Sequence, residues 1–399
     1  METYQLVIIG SGPGGIGAAN AYIEAGGEKP VLLLTAEHVP PYDRPPLSKE
    51  KLRAQAEPEP ELLGEPKDVE LRLGATVTAL DIDSRIVSIG DEQIGFEKLV
   101  LAPGSKSRLL PDLEDGADVR YLRSFADLQT LHTAASHARS AVVIGSGFIG
   151  CEAAISLAMK GIAVTMVSPE DAPQASRLGE HAAGVIAGIL RGHDVDVRAG
   201  TVITSLHAPR TVHLSDGTTL EPDLILAAVG AEPATDFVDP AALQMHEGRI
   251  VVDRHMRTNV DGVYAVGDAA RAEHALAGRA LTVEHWDDAD AMGKVAGVDA
   301  AGGDAEWESI PGFWTDLGEH TMMYSAWGDG FDDVQVVERS GGFTAWYGAD
   351  GALVGVLTYN ADDDYDRGRE LIAQGSTVEA AAAGAQPDSP PDDDEPGAE

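Results

Sequence analysis

The chain has 399 residues, with 66 Asp and Glu against 28 Lys and Arg, and a formal charge of −38 at pH 7. Attraction to phosphate would be reversed in sign, so nucleic acid and anionic lipid surfaces are not expected partners. An apolar share of 44% suits two or three globular domains; no apolar run is long enough to span a membrane, and the single cysteine, Cys151, excludes an internal disulfide or a CxxC pair.

The opening "METYQLVIIGSG" has no basic region and no small-residue cleavage site, so no signal peptide is read and a cytoplasmic location is expected. From residue 4 an apolar strand, "YQLVIIG", runs into a glycine-rich turn and an Ala-rich helical stretch, "SGPGGIGAANAYIEAGG". Gly10, Gly12 and Gly15, with Gly14 between them, form a GxGxxG in the context that gives it meaning. The first glycine permits a tight turn, the second lets backbone approach a pyrophosphate, the third lets helix pack on strand, and the helix N-terminus favours the phosphates. Glu37 ends the next strand, "PVLLLTAE", where a carboxylate can accept both hydroxyls of an adenosine ribose. Next comes "PPYDRPPLSKE", which sets Arg44 and Lys49 beside a rigid double proline in a chain with eight lysines. Short alternating strands, "ATVTALDID" and "RIVSIG", precede "KLVLAPGS", a return to the first sheet.

Residues 140–161, "SAVVIGSGFIGCEAAISLAMKG", repeat the device with Gly145, Gly147 and Gly150, and with Phe148 and Ile149 inside the turn. Glu170 stands twenty residues past Gly150 and no Arg follows at once, so NADH is favoured over NADPH, with Arg177 keeping NADPH open. Cys151, on the following helix, reads as a small packed residue. "DLILAAVGAEP" returns to this second sheet. A weaker third copy, "DGVYAVGDAARAEHALAG" at 261–278, is expected to be strand, turn and helix, with Asp268 where strand gives way to helix. Beyond residue 300, "FTAWYGADGALVGVLTYN" alternates around a Gly-Ala-Asp-Gly turn, which reads as antiparallel hairpins with a trailing helix.

The expected fold class is α/β, with two Rossmann-like dinucleotide-binding domains and a C-terminal α+β domain. The expected boundaries are 1–112 with 236–302 for the first domain, 113–235 for the second and 303–378 for the third. Residues 379–399, rich in Pro and acid, are expected to be a disordered tail. The acid excess runs the whole length and fits either a high-salt habitat, where a Debye length of about 3 Å at 1 M screens self-repulsion, or a surface kept for solubility.

Taken in order, "GSGPGG", "YDRPPLSK", "GSGFIGCE", "VYAVGD", "VEHWDDA" and "FWTD" resemble the FAD-dependent pyridine nucleotide oxidoreductases of the ferredoxin, rubredoxin and putidaredoxin reductase type. These are related to apoptosis-inducing factor and to the glutathione-reductase fold, and the likeness covers essentially residues 1–375. It implies FAD in the first cradle, NADH (NADPH possible) in the second, and a C-terminal domain that covers the flavin. It further implies that Asp268 bonds the ribitol, that Arg44 faces the phosphates, and that Lys49 lies at the reactive edge of the ring with Glu152 as its partner. Arg123, in "YLRSFADL", matches a further flavin contact. Trp286 and Trp314 match positions flanking the ring, although each also suits a core aromatic, and Glu284 and His285 accompany Trp286.

A fixed ammonium beside an anionic reduced flavin favours its reduction, which gives Lys49 a reason to persist in this chain. The implied activity passes electrons from NADH through FAD, singly, to a ferredoxin or rubredoxin. Reduction of oxygen, quinone or another small acceptor is one alternative, and an NADH-responsive role like that of apoptosis-inducing factor is another. Arg367 and Arg369, or Lys49, Lys51 and Arg53, could supply a basic patch for an acidic carrier. Absence of a CxxC and of a C-terminal His-Pro pair excludes disulfide reduction of the glutathione-reductase kind. A monomer or homodimer is expected.

Overall fold

The computed structural model describes residues 1–111 and 113–384. The first sheet is built on the fully buried strand Val31–Leu34, on Glu2–Ile9, and on Glu92–Leu101, which run parallel, with Val263–Ala265 added alongside Glu92–Leu101. Strands with no polar face need cover on both sides, and their near-continuous apolar runs fit that demand. A short antiparallel ribbon, Ala79–Asp81 with Ile86–Ile89, extends the same sheet.

The helix Pro13–Glu24 covers one face and is itself covered by the helix Trp286–Ala300. These two approach until their backbones touch. A Cβ on Gly293 would lie 2.1 Å from the Gly14 carbonyl oxygen, and one on Gly297 would lie 2.3 Å from that of Ala18. Small residues at helical spacing thus fix where the later helix begins, and its first turn comes to the mouth of the first glycine turn.

A second parallel sheet orders Asp196–Arg198, Ala163–Val167, Ser140–Ile144 and Leu224–Ala227. The helix Phe148–Met159 leaves the strand Ser140–Ile144 through the second glycine turn. Ala231–Pro233 pairs antiparallel with Ser105–Ser107 and links the two units. A five-stranded antiparallel sheet follows, in the order Gly312–Leu317, His320–Ala326, Ala352–Tyr359, Gly342–Ala349, Asp333–Arg339, with the helix Asp362–Ala373 behind it. Its central hairpin turns through Asp350 and Gly351, both at positive φ, as a tight two-residue turn requires.

Two sequence expectations are corrected. The third strand-turn-helix copy has no helix: Gly267–Ala269 is one 3-10 turn, and Ala270–His274 is a strand. Ala270, Ala272 and His274 are buried and alternate with Arg271 and Glu273, a period of two that the Ala content disguised. The expected tail begins too early as well, because Val378–Ala383 forms a helix capped by the Thr377 hydroxyl, with Val378 and Ala381 buried. The remainder of that tail lies outside the described residues. Among the described residues no helix is long and apolar enough to cross a membrane.

Candidate functional site

Two glycine turns open two clefts. At the first, Gly10 has φ +105° and a Cβ there would lie 2.0 Å from the Ala102 carbonyl oxygen; a Cβ on Gly15 would lie 1.8 Å from that of Gly10. These two glycines are required by packing. A Cβ on Gly12 would meet nothing within 4 Å. The second turn repeats the pattern: Gly145 and Gly150 are crowded, while a Cβ on Gly147 would meet only the Gln174 amide nitrogen, at 3.9 Å. Neither helix that follows has a side-chain cap, whereas the helix Phe125–Ala135 carries a complete capping box from Ser124 and Asp127. First-turn amides beside an open glycine make a cradle for a phosphate.

The first cleft encloses about 440 Å³, and Gly10, Gly12, Gly14, Glu37, Arg44, Arg123 and Asp268 lie along its wall. Tyr42 is the hub of the polar network there. Its hydroxyl donates to Glu37 Oε2 at 2.6 Å and accepts from the Phe125 amide at 2.8 Å and from Arg44 at 3.1 Å. Arg44 also pairs with Glu37 and donates to the Arg123 carbonyl oxygen at 2.9 Å. Asp268 Oδ2 accepts from Arg123 and from the Ser105 hydroxyl, each at 2.6 Å. Among the described residues no hydrogen bond engages Asp268 Oδ1, which leaves acceptor capacity at the cleft wall for a ligand hydroxyl.

Lys49 and Glu152 form an ion pair at 3.3 Å, both below one-tenth exposed. Glu152 also accepts from the Ser48 hydroxyl and, at 2.7 Å, from the Thr315 hydroxyl. Lys49 donates to the Pro45 carbonyl oxygen at 3.1 Å, so the proline segment holds the ammonium by its backbone. Burial, the larger influence, pushes the Glu152 carboxyl up, and the Lys49 charge and the hydroxyl donors pull it back. Glu152 lines both clefts; Lys49 lines neither and sits behind it.

The second cleft, about 760 Å³, is bounded by Gly147, Phe148, Ile149, Gly150, Arg177 and Trp314. Arg177 lies over the Phe148 ring, and Trp314 is 41% exposed at the rim. Gly145 and Glu170 stand off the lining. The Glu170 carboxylate accepts from the Ser176 hydroxyl, from the Gln174 amide at 3.0 Å and from the Ser146 hydroxyl at 3.3 Å. The clefts meet at Arg123, Ile149, Glu152, Glu284, His285 and Trp286. Glu284 pairs with Arg249, and His285 Nδ1 lies 3.1 Å from Asp288 Oδ2. The buried Trp286 Nε1 makes no well-formed hydrogen bond, although the Asp43 carboxylate is close enough to be influenced by it. An open cradle and an acceptor with spare capacity fit a bound dinucleotide with a polar ring system.

Tyr42, Ser48, Asp288 and Thr315 were not singled out from sequence, yet all four lie within quoted motifs. Of the residues offered for a basic patch, Lys49 is buried, Lys51 is 3.8 Å from Glu61, Arg53 faces the Met159 sulfur, Arg367 pairs with Asp364, and Arg369 donates to the Ile310 carbonyl oxygen. Cys151 is buried beside the Ser146 carbonyl oxygen, and burial pushes its thiol up, as for a packed residue.

Residues 4–293 match the pyridine nucleotide-disulphide oxidoreductase family, and residues 312–390 match a reductase C-terminal family. Apoptosis-inducing factor 3 of Mus musculus is 30% identical over 94% of this chain, which spans 64% of that relative's length. The ferredoxin–NAD(P)(+) reductase of a Sphingomonas species is 30% identical over 94% of both chains. The crystal structure of the ferredoxin reductase for the CYP199A2 system from Rhodopseudomonas palustris superposes with a TM-score of 0.88 and 28% identity, covering 96% of this chain and 97% of that one. With both glycine cradles inside the matched region, the chain belongs to the pyridine nucleotide-disulphide oxidoreductase family.

Proposed function

We propose that the protein takes a hydride from NADH and passes the electrons one at a time to a small iron–sulfur carrier of the ferredoxin or rubredoxin kind. One observation carries the reading: the clefts of two phosphate cradles share a wall, so that rings held from opposite sides can meet face to face. The names of the Sphingomonas and Rhodopseudomonas proteins support the choice of acceptor. FAD, when bound, supplies the ability to accept an electron pair and release electrons singly.

The protein's own groups bind and orient. Gly12 and the first-turn amides hold phosphate, and Arg44, fixed by Tyr42 and Glu37, adds charge. Asp268, steadied by Ser105 and Arg123, accepts from a ribitol hydroxyl. Lys49 places positive charge behind Glu152, and Trp286 with Trp314 excludes water. On this reading residues 1–112 and 236–302 hold FAD, 113–235 hold NADH, and 303–378 close over the ring. Glu170 beside the second cradle disfavours a 2′-phosphate, which gives NADH preference over NADPH.

The test is NADH-driven reduction of cytochrome c by the FAD-loaded protein, with and without an added ferredoxin. Carrier-dependent turnover is expected. Equal NADH consumption without the carrier would replace this reading with oxygen or small-acceptor reduction, and a protein that takes up no FAD would end it.

A further inference from the structure

A hydride brings two electrons and one proton, whereas an iron–sulfur carrier takes one electron and no proton. The balance of the proposed reaction is therefore NADH and two oxidised carriers giving NAD⁺, two reduced carriers and one proton. That proton is left where the clefts meet and must find an acceptor there. The ionisable groups lining both clefts are Arg123, Glu152, Glu284 and His285. Arg123 has no lone pair to offer. Glu152 already accepts from Lys49, Ser48 and Thr315, so protonation would strand a buried ammonium. Glu284 is committed to Arg249.

His285 remains. Its Nδ1 faces Asp288 Oδ2 at 3.1 Å, and Asp288, 3% exposed, is itself fixed by the Gly312 amide at 3.2 Å. The ring packs on Phe313 with centroids 4.8 Å apart, and among the described residues no hydrogen bond engages Nε2. We propose that His285 Nε2 accepts the proton left behind when the electrons depart singly, and that Asp288 holds the imidazole in orientation and stabilises its protonated form. An imidazole hydrogen-bonded through one nitrogen to a buried carboxylate presents the other as the base.

The surrounding charges bear on this role in both directions. Glu284 precedes His285 and Asp287 lies two residues after it; Arg249 neutralises Glu284, and Arg369 lies near Asp287. Glu152 and Arg123 share the cleft junction with the ring, and the strand Gly312–Leu317 presents Phe313, which is uncharged. First-turn amides of the helix Trp286–Ala300 oppose a standing positive charge, while Asp288 supports a transient one. With its side chain 20% exposed, His285 can pass the proton on to solvent.

The inference rests on the one-electron carrier reading, and its test separates the two. The midpoint potential of the FAD-loaded protein is titrated against pH for wild type, H285Q, D288N and E152Q, with FAD content and melting temperature as folding controls. Wild type and E152Q are expected to show a break in slope that H285Q lacks and D288N weakens. In stopped flow, H285Q should slow re-oxidation by ferricyanide at least tenfold more than it slows reduction by NADH. A break that persists in H285Q, or one that E152Q abolishes and H285Q does not, overturns the proposal. If wild type is reduced by NADH but gives electrons to no one-electron acceptor, the carrier reading fails while the potential titration still reports on His285.

Discussion

Replacing Lys49 by Met removes the ammonium that faces Glu152 and keeps a chain of similar length. Both groups are less than one-tenth exposed and lie 3.3 Å apart, so the change leaves a buried carboxylate without the positive charge that pairs with it. Breaking a buried pair from one side costs about 3–5 kcal/mol. Because the Ser48 and Thr315 hydroxyls still donate to Glu152, a value near the lower end, about 3 kcal/mol, is expected. The Lys49→Met, Glu152→Gln double variant has no stranded charge and should cost less than the sum of the singles, with a coupling of at least ~2 kcal/mol in a double-mutant cycle.

The sign of the pH dependence follows from Glu152, whose folded carboxyl is pushed up by burial, and whose strongest downward pull is the Lys49 charge. Without that charge it rises further, and the native state holds a proton that the unfolded chain has released. Stability from a raised carboxyl is full below its unfolded range and is lost as pH rises through the folded value. The deficit of Lys49→Met against wild type should therefore widen with increasing pH. Urea unfolding at fixed FAD concentration, repeated across the pH range, measures it. A deficit below ~1 kcal/mol that stays flat with pH would refute the buried-pair argument.

Gly12→Ala should leave the melting temperature of the FAD-free protein close to wild type and weaken FAD by tenfold or more, whereas Gly15→Ala should damage folding itself; circular dichroism and fluorescence titration separate them. Glu170→Ala should narrow the NADH over NADPH preference about tenfold, or ~1.4 kcal/mol, read as the ratio of kcat/KM values. His274 is wholly buried between Trp307 and Trp327, and burial pushes its imidazole down from 6.5. Its stabilising effect is present above that value and is lost as pH falls through the folded one, so His274→Gln should flatten the acid limb of the stability curve.

The cradles were legible because their demands are local. A turn that needs φ near +105° at Gly10, or a helix that must pass within contact of the Gly10 carbonyl at Gly15, constrains residue type at one position and a few either side. The Tyr42 hub was not legible, since its partners are Glu37, Arg44 and the amide of Phe125, 83 residues away. Nor was Thr315, 163 residues from the Glu152 it bonds. The strand Ala270–His274 failed for another reason: Ala fits helix and buried strand alike, so the alternation with Arg271 and Glu273 was the signal to weigh.

In a chain of charge −38, three cations at or behind the clefts are each held by a carboxylate. Arg44 pairs with Glu37, Lys49 with Glu152 and Arg123 with Asp268, and the last two join segments 103 and 145 residues apart. Each cation is held by an acid supplied from the fold rather than by the solvent-facing surface. Screening by salt reaches such pairs far less than it reaches exposed charge. The acid excess outside can then change with habitat while the potential at the clefts stays set by geometry, because Tyr42, Ser105 and Pro45 fix where those charges sit.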